Sequence, residues 1–544
     1  MAILSSIKGF TLYLLIQLYI FPAPTTSTRS TQHDDSEAFH IAIVGSGIAG
    51  AASAFHIHNM TRSDFDRPIK ITIYESSSVI GGQIKSTFTP EIRSPLEKGA
   101  AHFFEDDWCL VDAARSVELE TEALYAKKHT RIWNGSSLLD DDFCFRGIPW
   151  TIPPFWDPRP HARREVGNTI SRILSIVKLE WKEGFVPLKL RREMLALRTK
   201  FALFGKHSTF DNIYDELRKL GLGDAISRSA KGLLDNLGVS KFLQENSLEP
   251  CLTNSFGMNL NQSSGLHAAV SLASTRSHPI SIKSGNSNLV QRMIEESQAQ
   301  LLLNSKVIQL ETGRRRRFSL TVATETEAPK RVEYDAVIFT GGSLYEVRPQ
   351  SLPKTEVFQS HITYFVPYRS LEPEEIGIRS DWIPTTILTT ENATLMNKKI
   401  NITSLATSGG SFHDSSGCSE DDECDQFDDL HRVDSRQQLP WAKSRKAARD
   451  NPDLGLSPPM WVDLQSWDRR RFVGVKNDSI AGKVELEPNL FNIDNNFLDT
   501  MEASCRLGRN VALKLRGQRL MSSTFKQGPG DGGLFDDVRG TIPE

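Results

Sequence analysis

An α/β fold is what this sequence predicts, on three observations. An apolar strand, His40 to Val44, runs into a glycine turn and then a helix, FHIAIVGSGIAGAASAFHIHN. A second strand, Ile69 to Tyr74 (IKITIY), follows and ends at an acid, Glu75. Far downstream, β-branched alternation marks three strands joined by two turns, roughly Lys306 to Leu310, Phe318 to Ala323 and Val332 to Thr340. Strand–turn–helix–strand is the opening of a Rossmann-like dinucleotide-binding domain. At about 150 residues per domain, 544 residues leave room for an interleaved α+β second domain.

Each residue type in the opening has a physical task. Gly45, Gly47 and Gly50 spell GxGxxG. The first permits the tight turn, the second lets a pyrophosphate approach the backbone, and the third lets the helix pack on the strand. Ile48 and Ala49 begin the helix, whose free N–H groups and positive dipole end suit phosphate. Glu75, at the end of the second strand, can accept hydrogen bonds from both ribose hydroxyls. An adenine dinucleotide is therefore the expected ligand.

Composition narrows the class. Charged residues are 24% and hydrophobic residues 39%, which excludes a polytopic membrane protein, a collagen-like chain and global disorder. A formal charge of -3 argues against nucleic acid as partner. Six scattered cysteines make neither a disulfide scaffold nor a zinc cluster, and no metal is expected. Arg314 to Arg317 read as a solvated turn.

The N-terminus carries an export pattern. Lys8 precedes an apolar run from Phe10 to Phe21, and small residues follow at Ala23 and Thr25. Residues 1–23 thus read as a signal peptide, too short for a membrane span of about 20 residues. Residues 24–38 read as a flexible lead-in. Export would make the sequons at Asn59, Asn134, Asn261, Asn392, Asn401 and Asn477 glycosylation candidates. Asn134 sits where a hairpin turn is expected. Cys418 and Cys424 could pair locally in an oxidising lumen, or stay free or pair elsewhere.

Beyond Glu75 the sequence resembles a known group. Gly81-Gly82, followed by Gln83 where arginine is common, and the segment Glu97, Gly99, Ala100, Ala101 resemble the glutathione reductase and amine oxidase flavoproteins. The resemblance implies FAD, with the second glycine pair against its phosphates and the 97–101 segment beside the isoalloxazine. It also implies that the three late strands form a β-meander, Val307 lying toward the adenine. Two further stretches, LTNSFGMNLNQSSGLHAAVSLAS (252–274) and IKSGNSNLVQRMIEES (282–297), are similar to the prenylcysteine oxidase family. So is the C-terminal LFNIDNNFLDTMEASCRLGRNVALKL, where Met501 would open a last helix near the flavin.

That family implies an FAD enzyme that cleaves farnesyl- or geranylgeranyl-cysteine with O2, giving prenyl aldehyde, cysteine and H2O2. The partners it implies are a lipidated amino acid and O2, in a lysosome, a vacuole or the secreted space. His267 is the best polar candidate for a catalytic role. Two alternatives stay open: a secreted amine oxidase-type flavoenzyme, and a non-catalytic prenyl- or lipid-binding relative of the Rab escort kind. Intact Gly45, Gly47, Gly50 and Glu75 weigh against the second.

The expected FAD domain is discontinuous, at 39–110, 282–345 and 485–516. The substrate domain takes 111–281 and 346–484, with an acidic, disordered insertion at 407–458. A loose tail takes 517–544. Within the substrate part, Ile170, Ile173, Leu174, Val177 and Trp181 make a helical apolar stripe. A second helix mixes Leu195, Leu197, Phe201 and Phe204 with a basic face of Arg191, Arg192, Arg198 and Lys200. Core packing and a pocket for a lipid-like substrate both fit these stripes, and peripheral membrane contact is compatible with them.

Overall fold

The structure, a computed structural model, describes residues 38–61, 68–89, 92–123, 130–133, 138–140, 177, 181–256, 258–272, 279–313, 317–341, 344, 347, 357–366, 386–389, 404–406, 431–434, 461–470, 482–493 and 500–524. The signal and lead-in, the sequons at Asn134, Asn392, Asn401 and Asn477, and Cys418 and Cys424 lie outside them. So does most of the 407–458 stretch.

The expected α/β fold is present. Strand β1 (Phe39–Val44) leads into helix α1 (Ile48–Thr61), and β2 (Ile69–Tyr74) follows. Helices α2 (Trp108–Ser116), α3 (Val186–Ala202), α4 (Gly265–Leu272) and α5 (Asn286–Glu296) come next. Strand β3 (Gln300–Leu302) precedes a three-stranded antiparallel meander of β4 (Ser305–Thr312), β5 (Phe318–Thr324) and β6 (Lys330–Tyr334). Then β7 (Ala336–Thr340), β8 (Glu485–Glu487) and β9 (Leu490–Ile493) return to the main sheet, and α6 (Met501–Thr524) closes the chain's described part.

The main sheet has the order β3-β2-β1-β7-β9-β8. Its pairs are parallel except β8 against β9. Because β1 is central, its alternate side chains enter different cores. Ile41 and Ile43 join the helices α1, α5 and α6; Ala42 and Val44 join Leu310, Phe318 and Leu320 of the meander. Burial on both faces explains why β1 reads as a near-continuous apolar run, whereas β2, with Lys70 exposed, alternates. This is the ββα sandwich expected.

Helix α6 lies against α1 with almost no gap. A Cβ on Gly508 would meet Ser53 N at 2.8 Å and Ala49 O at 2.9 Å. Cys505 of α6 is joined to Cys109 of α2 by a disulfide that spans 396 residues of sequence, a pairing the sequence did not suggest. Residues Thr130–Trp133 and Leu138–Asp140 pair antiparallel around 134–137, the hairpin expected at Asn134.

Four expectations need correction. The run 332–340 is two strands, since the chain leaves the meander at Tyr334 and enters the main sheet at Ala336. Asp335 makes the break by exchanging hydrogen bonds with His40. The loose tail begins later than 517, because α6 runs to Thr524. The domain boundary at 110/111 cuts through α2, which is fixed to α6. Arg198 is not on a solvated face but buried. Its guanidinium lies 2.6 Å from Asp106 and over the Phe104 ring. Of the 170–181 stripe only Val177 and Trp181 are described, and both are exposed.

Candidate functional site

The glycine turn after β1 is built by backbone constraint. Gly45 has φ +106°, left-handed backbone that disfavours a side chain, and a Cβ there would strike Thr340 Oγ1. A Cβ on Gly50 would strike Gly45 O. These two glycines are demanded by the fold itself. Gly47 differs: no protein atom comes closer to an added Cβ than Gly81 O at 3.8 Å. A Cβ there would meet the protein only at ordinary contact distance, so packing within the protein does not by itself demand this glycine. Ile48 and Ala49, the start of α1, are buried beside it.

Glu75 closes the other side. One carboxylate oxygen accepts from Ser46 N at 2.9 Å and Ser46 Oγ at 2.7 Å; the other accepts from Ser77 N at 2.9 Å and Ser77 Oγ at 2.8 Å. Burial alone would raise its pKa, but these donors outweigh burial and hold it below the usual carboxylate range.

A chain of backbone contacts continues from this loop. Gly47 bridges to Gly81, whose N–H donates to Ser46 O at 3.2 Å, and Gly82 lies over Gly47. Gln83 O accepts from Ala100 N at 3.2 Å. Asn286, at the head of α5, then brackets the 97–101 segment. Its side-chain amide donates to Ala100 O at 3.1 Å and Ala101 O at 3.0 Å, its Oδ1 accepts from Ile282 N, and its N–H donates to Glu97 at 2.7 Å. Ser86 Oγ also donates to Glu97. Burial pushes Glu97 up to about 7 against these donors. Gly99, Ala100 and Ala101 are half-buried and small, so the bracketed strip offers a flat face of backbone.

Thus Gly45, Gly47, Ile48, Ala49, Gly50, Glu75, Gly82, Gln83, Gly99, Ala100 and Ala101 fall along one continuous cradle. The other candidates sit apart. Val307 buries its side chain in the meander core, so it can offer an adenine only backbone, at a register shift between Val307 and Gln309. Met501 begins α6 and is buried. His267 lies in α4 among the helices, edge-on to Phe256. Its Nδ1 accepts from Ser264 N at 3.2 Å and shares a 2.7 Å contact with Ser264 Oγ.

Beside the cradle is a buried ionic knot that sequence reasoning missed. Glu502 of α6 accepts from Cys109 N and Leu110 N, both at 3.0 Å, at the N-terminus of α2. It also accepts from Arg506 at 2.5 Å. Arg506, 1% exposed, donates to Phe201 O at 2.7 Å as well. Asp107, next to this pair and 3.9 Å from Arg198, is raised to about 7 by burial and by the Glu502 charge. The sign follows. Well below pH 4 the carboxyl is protonated folded or unfolded; from about pH 4 to about 7 only the unfolded chain ionises, so stability is withdrawn across that window. Asp107→Asn escapes this. The melting-temperature gap, variant minus parent, is expected to grow from pH 4 to pH 7 and then level off; a gap that ignores pH would contradict it.

Comparison with known proteins agrees with this geometry. An NAD(P)-binding Rossmann-like domain model matches residues 43–111, and the prenylcysteine lyase family model matches residues 166–420. Prenylcysteine oxidase 1 of Rattus norvegicus is 24% identical over 380 residues, 66% of this chain and 64% of its own length. Farnesylcysteine lyase of Arabidopsis thaliana is 25% identical over 387 residues, 68% of this chain and 71% of its own. The chain is thus similar to the prenylcysteine oxidases. The likeness to the rat prenylcysteine oxidase spans just under two thirds of that protein's length. The prenylcysteine lyase match also runs to residue 420, into the first part of the stretch expected to be an insertion. Among solved structures, a putrescine oxidase triple mutant has TM-score 0.55 at 13% identity, covering 88% of this chain and 99% of its own. The fatty acid isomerase of P. acnes has TM-score 0.52 at 12% identity, with 87% and 98% covered. These likenesses show the fold alone, the α/β sandwich described above.

Proposed function

We propose that the chain is an FAD-dependent oxidase that cleaves the thioether of a prenylated cysteine. The observation that carries this is the run of backbone contacts from Gly47, where packing does not demand a glycine, through Gly81 and Gly82 to the Asn286-bracketed strip, in a chain similar to the prenylcysteine oxidases. The run suits an extended dinucleotide whose second half is a flat ring. FAD, when bound, supplies a two-electron acceptor that O2 can restore.

The chain's own residues do the rest. The N–H groups at the head of α1 receive the pyrophosphate, and Glu75 receives the ribose. Asn286 holds the 97–101 backbone at one depth, so that the ring and substrate meet in a fixed geometry. The overall balance is thioether, O2 and water giving thiol, aldehyde and H2O2. The carbon beside sulfur gives up a hydride rather than a proton, so no strong base is needed. His267, its Nδ1 held by Ser264, is the polar side chain proposed to orient water or substrate.

Anaerobic flavin bleaching tests this reading. Farnesyl-cysteine is expected to bleach the flavin rapidly, a five-carbon analogue at least tenfold more slowly, since each CH₂ buried is worth about 0.8 kcal/mol. A polyamine should not bleach it. Bleaching by the polyamine and not by farnesyl-cysteine would move the chain to the amine oxidases.

The compartment is part of the proposal. The apolar run 10–21 and the buried Cys109–Cys505 disulfide support export into an oxidising lumen, lysosomal, vacuolar or extracellular. Of the described sequons, Asn59 and Asn261 are exposed. No helix among the described residues is long and apolar enough to cross a membrane.

A further inference from the structure

Half of the exposed large apolar side chains among the described residues gather at one place. Trp181 is 89% exposed, Phe185 70%, Val177 56%, and Leu188 and Phe242 50% each. The others, such as Val79, Leu303 and Val332, are scattered singly along the sequence. Lys182 ties the cluster together, its Nζ 4.0 Å from the centroid of the Phe242 ring. The opposite face of α3 buries Pro187, Leu190, Met194, Leu197 and Phe201. The exposed residues at its start are therefore carried by a braced helix, about 25 Å along its axis from the Phe201 end that Arg506 holds.

Phe185 sharpens the point. It follows Gly184 (φ +64°) and itself takes φ +63°, left-handed backbone that a bulky residue adopts only at a cost. Its ring then stands in water. Neither cost is offset by a contact among the described residues, which points to a partner.

Charge identifies that partner. Lys182, Lys189, Arg192 and Lys241 are exposed around the aromatic residues. Against them stand Glu245, exposed and paired with Lys241 at 3.5 Å, and the half-buried Glu183 and Glu193, which leaves the cations in excess. A two-fold copy of this surface would set cations against cations. Trp and Phe tips ringed by lysine and arginine match an anionic lipid interface, where rings sit at headgroup depth and ammonium groups meet phosphates.

We propose that the start of α3, with Phe242, is a docking surface for an anionic lipid bilayer. It makes the protein monotopic, without a spanning segment in this region. This does not depend on the thioether chemistry proposed above.

The test is co-sedimentation of the purified, flavin-loaded full chain with phosphatidylcholine vesicles, with and without phosphatidylserine. Binding is expected to the anionic vesicles and to fall with salt. Trp181→Ser with Phe185→Gly is expected to weaken it by roughly tenfold or more. Lys182→Glu with Lys189→Glu should abolish the preference for phosphatidylserine. Phe185→Gly suits the left-handed backbone, so melting temperature and flavin content should hold or improve in that variant. Vesicle binding that is absent in the parent, or equal in parent and the Trp181/Phe185 variant, overturns the proposal. A concentration-dependent dimer lost in that variant overturns it too, and assigns the patch to a second copy.

Discussion

Gly47→Val is expected to give a folded protein with no flavin. An added Cβ at Gly47 finds its nearest protein atoms at 3.8 and 3.9 Å, ordinary contact distances. The protein can therefore hold a side chain there, but the side chain takes the space left for the pyrophosphate. Flavin absorbance should vanish, while the melting temperature matches that of the flavin-stripped parent. Gly47→Ala should show an intermediate loss. Gly45→Ala and Gly50→Ala should behave differently, because their added atoms strike Thr340 Oγ1 and Gly45 O and damage the fold with or without flavin. If Gly47→Val retains full flavin, the loop is not the phosphate site.

Glu502→Ala is expected to cost about 3–5 kcal/mol of stability, the usual penalty for leaving a buried charge unpaired. Arg506 is 1% exposed and cannot reach water, and the N–H groups of Cys109 and Leu110 lose their acceptor together. Urea unfolding followed by circular dichroism measures this. Replacing both partners, Glu502→Leu with Arg506→Met, should recover a large part of the loss, because the charge is then gone rather than stranded. Equal losses in the single and double variants would mean that the carboxylate matters chiefly as the acceptor for α2.

What the sequence disclosed and what it hid divide by distance along the chain. Strand β1 was legible because both its faces are buried, and β2 because its apolar and polar residues alternate. The turn was legible because Gly45 and Gly50 answer to atoms a few residues away or on the adjoining strand. The break at Asp335 was hidden: neither glycine nor proline marks it, and its partner, His40, is 295 residues away. Arg198 looked like a surface cation because Asp106 lies 92 residues upstream. Glu502 was noticed only through family resemblance, and its actual task, holding α2 through Cys109 and Leu110, crosses more than 390 residues. Asn286 likewise stood in a resembling stretch, yet nothing local revealed that it brackets Ala100 and Ala101. Periodicity reports which side of an element is buried, never against what.

The link between Cys109 and Cys505 sets an order of events in the making of the protein. The nucleotide domain opens at Phe39, but its sheet lacks β8 and β9, and its helical face lacks α6, until the chain has been made past residue 500. A ribosome therefore cannot release a finished first domain and go on to the second. The early strands must wait for their neighbours while the substrate-domain segments 111–281 and 346–484 emerge, and oxidative pairing of Cys109 with Cys505 marks the moment of completion. A premature stop anywhere before that point destroys the domain at the other end of the message.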